Sequence, residues 1–198
     1  TMAKIEELIP FVLYFEVGLS RAHLGLPLDA MFQQAKKTGF ANDPDDSGGA
    51  TMCGVTIGTF AAYRKSQGHK TTTVADLKNI TYQDWRAIMK KLFWDKWQAD
   101  TIENQAIANI LVDWVWASGN NGIKIPQRIL GVTADGIVGA KTLAALKSAE
   151  PRKLFEQIHA ARLKFVDDIV ARKPSQKKFI RGWKRRINAI TFNGLKYD

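Results

Sequence analysis

Residues 104–118 read Asn104-Gln105-Ala106-Ile107-Ala108-Asn109-Ile110-Leu111-Val112-Asp113-Trp114-Val115-Trp116-Ala117-Ser118. Large apolar side chains recur every three or four residues, at Ile107, Ile110, Leu111, Trp114 and Val115. This spacing is typical of a helix that buries one wide face. The stretch therefore predicts the most apolar helix of a mainly α chain.

The same periodicity predicts helices on both sides of this stretch. The first covers residues 4–16 and contains Pro10, which predicts a kink or a late start. Thr56 is placed to cap a helix that runs to Gln67, and Thr81 to cap the next one. The remaining predicted helices cover residues 28–37, 122–130, 139–148, 151–172 and 175–191.

Composition limits the fold and the compartment. The chain has 198 residues and one cysteine, Cys53, so it has no intrachain disulfide, and we expect that thiol in the core. The acidic loop at residues 39–51 lies before residues 99–104 and the basic helices lie after them. This difference predicts two parts, 1–98 and 99–198, packed as one unit. No apolar run approaches the roughly 20 residues that span a bilayer, so we expect no stable membrane insertion. We also expect a monomer.

The formal net charge of +10 favours anionic partners. Many of the basic residues lie in the last third of the chain, where two long amphipathic helices are predicted. Nucleic acid, an anionic membrane and the bacterial cell wall are all anionic. A solvated helical face that only keeps the protein soluble is the simplest alternative.

An acidic loop lies on this basic chain, and it reads Gly39-Phe40-Ala41-Asn42-Asp43-Pro44-Asp45-Asp46-Ser47-Gly48-Gly49-Ala50-Thr51. Proline and paired glycines exclude a helix interior or a central strand. Its carboxylates suit a substrate site or an ion site. A calcium loop is disfavoured because its twelfth position, counted from Asp43, is Gly54 rather than a glutamate. A turn in which aspartates bond their own backbone is the structural alternative.

Glu16 ends the first predicted helix, after five apolar or aromatic residues. Glycoside cleavage needs one carboxyl group as proton donor and a second to activate water or stabilise positive charge. Partial burial would raise the pKa of Glu16 and suit it to the first role, while loop aspartates suit the second. An exposed glutamate at a helix end is the structural alternative.

These residues carry a resemblance to glycoside hydrolase family 108, which comprises lysozyme-like N-acetylmuramidases, some labelled secretion activator proteins. The family has a helix ending in Glu-Gly-Gly, then an aromatic residue and Val-Asn-Asp-Pro-x-Asp-x-Gly-Gly-x-Thr-x-x-Gly-Ile-Thr. Residues 5–16 resemble its helix and residues 39–56 its loop. The resemblance implies a lysozyme-like helical fold with a small hairpin or irregular loop at the cleft, and cleavage of the β-1,4 bond between N-acetylmuramic acid and N-acetylglucosamine.

The resemblance also implies the site residues. Glu16 would be the general acid, Asp46 the second carboxylate (Asp43 and Asp45 being less favoured), and Thr51 would help to hold the water. We expect Asn42, Asp43, Asp45 and Gly49 to contact substrate, with no cofactor and no metal ion.

The chain departs from the family between the helix and the loop. In the family the glutamate stands three residues before the aromatic residue, whereas Lys37 occupies that place before Phe40. An ungapped alignment therefore predicts an inactive protein. A gapped alignment retains Glu16 and makes residues 17–38 an insertion, and we prefer it because the apolar helix and its terminal acid are both present.

The second half resembles the predicted peptidoglycan-binding domain that follows the catalytic part in this family. The matching stretches are 113–119, 126–132, 135–143 and 179–188. Peptidoglycan is therefore the expected partner, rather than nucleic acid. The rival interpretations are a non-catalytic wall-binding or secretion-helper protein and a nucleic-acid binder. Since the N-terminal residues do not resemble a signal peptide, we expect release by a phage-type holin or origin in a prophage lysis cassette, with action on the cell wall.

Overall fold

The structure, a computed structural model, describes residues 1–44 and 48–198. Residue contacts divide the chain into two compact units, Glu6–Leu92 and Thr1–Ile5 with Phe93–Asp198. Helices dominate both units, which confirms the mainly α prediction. The predicted boundary between residues 98 and 99 stays a prediction.

The unit Glu6–Leu92 contains five helices and one small sheet among its described residues. The helices are α1 (Ile5–Val17, whose first residue lies in the other unit), α2 (Leu28–Lys36), α3 (Ile57–Ser66), α4 (Val74–Lys78) and α5 (Tyr82–Met89). The strands are β1 (Phe40–Ala41), β2 (Thr51–Met52) and β3 (Val55–Thr56), in the order β1-β2-β3. A short 3-10 helix covers Arg21–Gly25.

Helix α1 begins well before Pro10 and continues through it. Of the two alternatives predicted at Pro10, a kink or a late start, the late start was therefore wrong. Pro10 lacks the N–H that would bond to the preceding turn, but the helix buries Leu8, Phe11 and Val12 completely. Burial of that face outweighs the missing hydrogen bond. The helix ends at Gly18, whose φ of 67° terminates it while its N–H donates to the Tyr14 carbonyl at 2.9 Å.

Strands β2 and β3 form a hairpin, which is one of the two expected alternatives, a small hairpin or an irregular loop. Thr51 pairs with Thr56 and Met52 with Val55, which leaves a two-residue turn at Cys53 and Gly54. Both turn residues have positive φ, 48° and 83°. Two positive φ angles match the twist of the flanking strands. Thr56 then caps α3, accepting a hydrogen bond from the Thr59 N–H at 3.1 Å, as predicted.

The other unit is built mainly from five long or medium helices among its described residues. They are α6 (Gln105–Ser118), α7 (Asn121–Leu130), α8 (Ala140–Ser148), α9 (Pro151–Arg172) and α10 (Ile180–Ala189). The prediction of one helix over 175–191 was wrong at both ends. Pro174 opens a separate 3-10 helix that reaches Phe179, and residues 190–195 form the hairpin of β4 (Ile190–Thr191) and β5 (Gly194–Leu195).

Helix α6 is the centre of this unit, because ten of its residues are buried. One of them is Asp113, which is fully buried. Its carboxylate accepts hydrogen bonds from Arg162 Nη2 at 2.7 Å and from Arg186 Nη2 at 2.7 Å. Burial alone would raise the pKa of Asp113, but the two guanidinium groups outweigh it and hold the pKa below the ordinary value. The carboxylate thus joins α6 to α9 and α10.

A buried glutamine shapes the turn at residues 135–139, which lies within the stretch 135–143 that resembles the peptidoglycan-binding domain. Gln127 is fully buried on α7, and its Nε2 donates to the Ile137 carbonyl at 2.9 Å. Its Oε1 accepts from the Gly136 N–H at 2.9 Å. The glycine has a φ of 76°, which the tight reversal requires. This turn has a structural role.

Candidate active site

Glu16 lies in the last turn of α1 and is half-buried. The preceding residues Val12, Leu13 and Tyr14 are buried, so they anchor the helix end firmly in the unit. The carboxylate therefore projects from a rigid element, as a positioned catalytic group requires.

Residues 17–38 form an excursion that closes on itself at the end of α1. The Thr38 hydroxyl donates to the Val17 carbonyl at 3.5 Å, a long hydrogen bond. A Cβ built on Gly39 would lie 3.2 Å from Val17 Cγ1. The chain thus leaves after Glu16, forms α2 and returns to the residue beside Glu16. The length of segment 17–38 therefore does not separate the helix end from residue 39, where the loop begins.

Gly39 and Cys53 connect β1 to the hairpin turn. The Cys53 N–H donates to the Gly39 carbonyl at 2.9 Å, and the Cys53 carbonyl accepts from Trp85 Nε1 at 3.0 Å. Both Cys53 and Trp85 are fully buried. These hydrogen bonds fix the turn of the hairpin against α5 and the start of β1.

The charge of Glu16 affects the pKa of the Cys53 thiol. The pKa of the Cys53 thiol is raised to about 12, mainly because the thiol is buried; the negative charge of Glu16 contributes to the rise and the positive charge of Lys36 opposes it. Glu16 is therefore close enough to the hairpin turn to act on Cys53 through space. The structure brings together the end of α1, the end of α2 and the turn that follows Thr51.

The other predicted site residues lie on the loop and the sheet. Thr51 is half-buried in β2, where it pairs with Ala41 of β1. Asn42 and Asp43 are exposed after β1, and Gly49 is half-buried with a φ of 72°. Asp45 and Asp46, which include the favoured second carboxylate, lie outside the described residues.

Sequence reasoning missed two residues of this arrangement, Gly39 as a packing residue and Lys36 as a charge beside the turn. The sequence held a signal for the first, since a glycine directly before the strand marks a close approach of backbone. It held none for Lys36, because helical periodicity along α2 does not tell which end of that helix meets the hairpin.

Within residues 1–44 and 48–198, no three His, Cys, Asp or Glu side chains group in a way that could hold a metal ion. The calcium loop that the sequence disfavours, counted from Asp43, includes Asp45 and Ser47, and these two residues lie outside that range. No helix in the described part of the chain is both long and apolar enough to cross a membrane.

Comparison with known families confirms the resemblance drawn from the sequence. Residues 34–119 match the family model described as Glycosyl hydrolase 108, and residues 121–188 match the Predicted Peptidoglycan domain. The fold is similar to that of Brucella abortus SagA, with a TM-score of 0.66, 28% sequence identity, and coverage of 80% of this chain and 86% of that one. No curated protein matches. The chain is thus similar to a glycosyl hydrolase segment followed by a predicted peptidoglycan domain.

The segment that matches the hydrolase model begins after Glu16. It starts at Gln34, so it includes the acidic loop and Lys37 but not Glu16. Lys37 is exposed at the end of α2. The family comparison therefore covers the loop side of the candidate site, and only the geometry connects Glu16 to it.

Proposed function

We propose that this chain, which combines a glycosyl hydrolase 108 segment with a predicted peptidoglycan domain, is an N-acetylmuramidase. It would cleave the β-1,4 bond between N-acetylmuramic acid and N-acetylglucosamine at the cell wall. The observation that carries the proposal is the closure of residues 17–38, which returns the loop to the residue beside Glu16.

Glu16 is the proposed general acid. Its carboxyl proton passes to the glycosidic oxygen as the bond to the sugar carbon breaks, and the leaving sugar departs as a neutral alcohol. Support comes from its place at the end of the anchored α1 and from the return of the chain at residue 39 to Val17 beside it. Lys37, the alternative occupant of that position, offers an ammonium group in place of the carboxyl group that glycoside cleavage uses as its proton donor.

The second carboxylate is proposed to come from the loop, with Asp46 favoured over Asp43 and Asp45. Thr51 lies on β2, directly before the Met52 and Cys53 that lead into the turn, and its hydroxyl is proposed to hold the water. A carboxyl separation of about 5–5.5 Å would give retention at the sugar carbon, and about 6.5–9.5 Å would give inversion. The basic chain, with a net charge of +10, favours approach to an anionic wall.

The decisive experiment compares wild type with Glu16→Gln on purified peptidoglycan, following loss of turbidity. Glu7→Gln is the matched control, because it makes the same change at an exposed position of the same helix. We expect Glu16→Gln to lose at least about 100-fold in rate, in the range of a missing general acid, and Glu7→Gln to keep full activity. Equal clearing by wild type and Glu16→Gln would overturn the assignment.

The bond cleaved is read from the products. Borohydride reduction followed by mass spectrometry labels each new reducing end, and a muramidase produces reduced N-acetylmuramic acid. Reduced N-acetylglucosamine would instead indicate a glucosaminidase and would contradict the proposed bond.

A non-catalytic wall-binding role is the second candidate, and one observation favours it. The family match begins after Glu16 and includes Lys37. This role predicts that wild type sediments with peptidoglycan yet releases no reducing ends, and that Glu16→Gln sediments equally well. Release of reducing ends by wild type would exclude it.

A further inference from the structure

A groove of about 510 Å³ lies in the unit that contains the predicted peptidoglycan domain. It runs between α9, the end of α10 and the β4–β5 hairpin. Its functional groups come from Arg152, Phe155, Glu156, His159, Asn188 and Phe192. The proposed hydrolase mechanism uses none of these groups.

The wall of the groove is aromatic and fixed. Phe155 is buried and stacks on His159, with ring centroids 6.0 Å apart and planes inclined by 26°. Phe192 meets Phe155 edge to face at 5.8 Å. Burial lowers the pKa of His159, the hydrogen bond with the Ile187 backbone partly offsets this effect, and the positive charge of Arg162 lowers the pKa further.

The hairpin holds Phe192 and Asn193 at the mouth of the groove. The Thr191 hydroxyl donates to the Gly194 carbonyl at 2.6 Å across the turn. The Lys196 N–H donates to the Ala189 carbonyl at 2.8 Å and so ties the hairpin to the end of α10. The turn is therefore a built element that presents an aromatic ring and an amide to the groove.

The charges of the groove distinguish between sugar and peptide ligands. The Arg152 guanidinium lies over the Phe192 ring, 4.5 Å from its centroid, so that face is not free to stack on a pyranose ring. Arg152 and Glu156 are exposed and one helical turn apart, which places a cation and an anion on the same rim. A ligand with carboxylates, an amine and peptide groups matches this rim better than a neutral glycan does.

We propose that this groove binds the stem peptide of peptidoglycan. Arg152 would receive a carboxylate, Glu156 the amine of the diamino acid, and Asn188 and Asn193 the peptide groups, with alanine methyl groups against Phe192. The inference rests on the proposed function only in taking peptidoglycan as the partner. It gives the chain a second contact with its substrate, distant in sequence from Glu16.

The test uses the full-length chain and a synthetic stem tetrapeptide of alanine, glutamate, diaminopimelate and alanine, with binding measured by calorimetry. This peptide has no glycosidic bond, so its binding is independent of hydrolysis through Glu16. Two further ligands are the same peptide with its carboxylates amidated and a tetramer of N-acetylglucosamine. We expect binding of the free tetrapeptide and at least about tenfold weaker binding of the other two.

Two neighbouring cations give a matched pair of variants. Arg152 and Lys153 are both exposed, and the Glu150 carboxylate accepts from both of their backbone N–H groups. Arg152→Gln should weaken tetrapeptide binding by about tenfold, in line with loss of a charge-assisted hydrogen bond. Lys153→Gln should change it by less than about twofold. Phe192→Leu, which retains an apolar side chain at the turn, should also weaken binding, and thermal melts verify that each variant is folded.

Equal losses in Arg152→Gln and Lys153→Gln would mean nonspecific attraction and would overturn the proposal. So would preference for the N-acetylglucosamine tetramer, or no binding of any ligand. If the chain clears peptidoglycan but does not bind the tetrapeptide, the muramidase proposal stands and the groove proposal fails. If it binds the tetrapeptide but does not clear peptidoglycan, the groove proposal stands and the muramidase proposal fails.

Discussion

Gly39 lies so close to Cys53 that a Cβ on residue 39 would stand 2.6 Å from the thiol sulfur. The same Cβ would stand 2.7 Å from the Ala35 carbonyl, so neither neighbour could yield without moving backbone or core. This contact keeps β1, the hairpin turn and the end of α2 together. It lies beside the end of α1 that carries Glu16.

Gly39→Ala should therefore destabilise the chain by about 1–3 kcal/mol, the usual cost of inserting a methyl group into a packed site. Urea denaturation measures the change. The control is Gly58→Ala in α3, where a Cβ would meet nothing within 4 Å. That variant should be neutral or more stable, by up to about 1 kcal/mol. Equal behaviour of the two variants would contradict the packing described for Gly39.

The charge of Glu16 should be measurable at Cys53. Because this charge raises the pKa of the thiol, Glu16→Gln should lower that pKa from about 12. Removing the opposing positive charge in Lys36→Gln should raise it. NMR of isotopically labelled cysteine measures the titration directly, since Cys53 is the only cysteine. Glu7→Gln is the control and should leave the pKa unchanged; an equal shift there would mean that Glu16 is not specifically placed.

Asp113→Asn should destabilise the chain by about 3–5 kcal/mol, because Arg162 and Arg186 would lose the charge that compensates their burial. Thermal and urea unfolding measure it. Asp168→Asn is the matched control, since it removes a half-exposed ion pair with Lys164 and should cost less than about 1 kcal/mol. A small effect at Asp113 would show that the two arginines find other partners.

The free energy of unfolding of the wild type should decrease at acid pH because the Asp113 carboxylate becomes protonated. The folded-state pKa of Asp113 is lower than its ordinary value of 3.8. A lowered pKa contributes stability that is fully present above that value and is lost as the pH falls through the folded-state pKa. The difference in unfolding free energy between wild type and Asp113→Asn should therefore shrink below pH 3.8. A difference that stays constant down to acid pH would contradict this role.

Local patterns in the sequence predicted most of the helices. Periodicity indicated α6 and α9, and the threonine at residue 56 indicated the start of α3. The prediction of one helix over 175–191 was wrong because the helical spacing of apolar residues there competed with a proline and a hairpin. Pro174 ended the basic helical pattern in a separate turn, and the hairpin at residues 190–195 replaced the end of the predicted last helix.

The candidate site was predicted less completely. Glu16 was proposed from residue type and resemblance and Thr51 from resemblance; Glu16 lies at the end of a helix, as predicted, Thr51 lies on β2, and their roles stay predictions. Asp46 remains a prediction outside the described residues. The peptide groove was not predicted at all, because Arg152 and Phe192 meet only when α9 packs beside the β4–β5 hairpin.

The sequence by itself determined a mainly α chain and an acidic loop that resembles the hydrolase type, and it left a small hairpin or an irregular loop open beside it. Hydrophobic periodicity, helix caps and turn residues depend on a few neighbouring positions, so they can be recognised in the sequence without a structure. Only the tertiary structure decided that residues 17–38 close on Val17 and return the loop to Glu16. That closure depends on the absence of a side chain at Gly39 and on the packing of Cys53, which are contacts between positions that no local pattern relates.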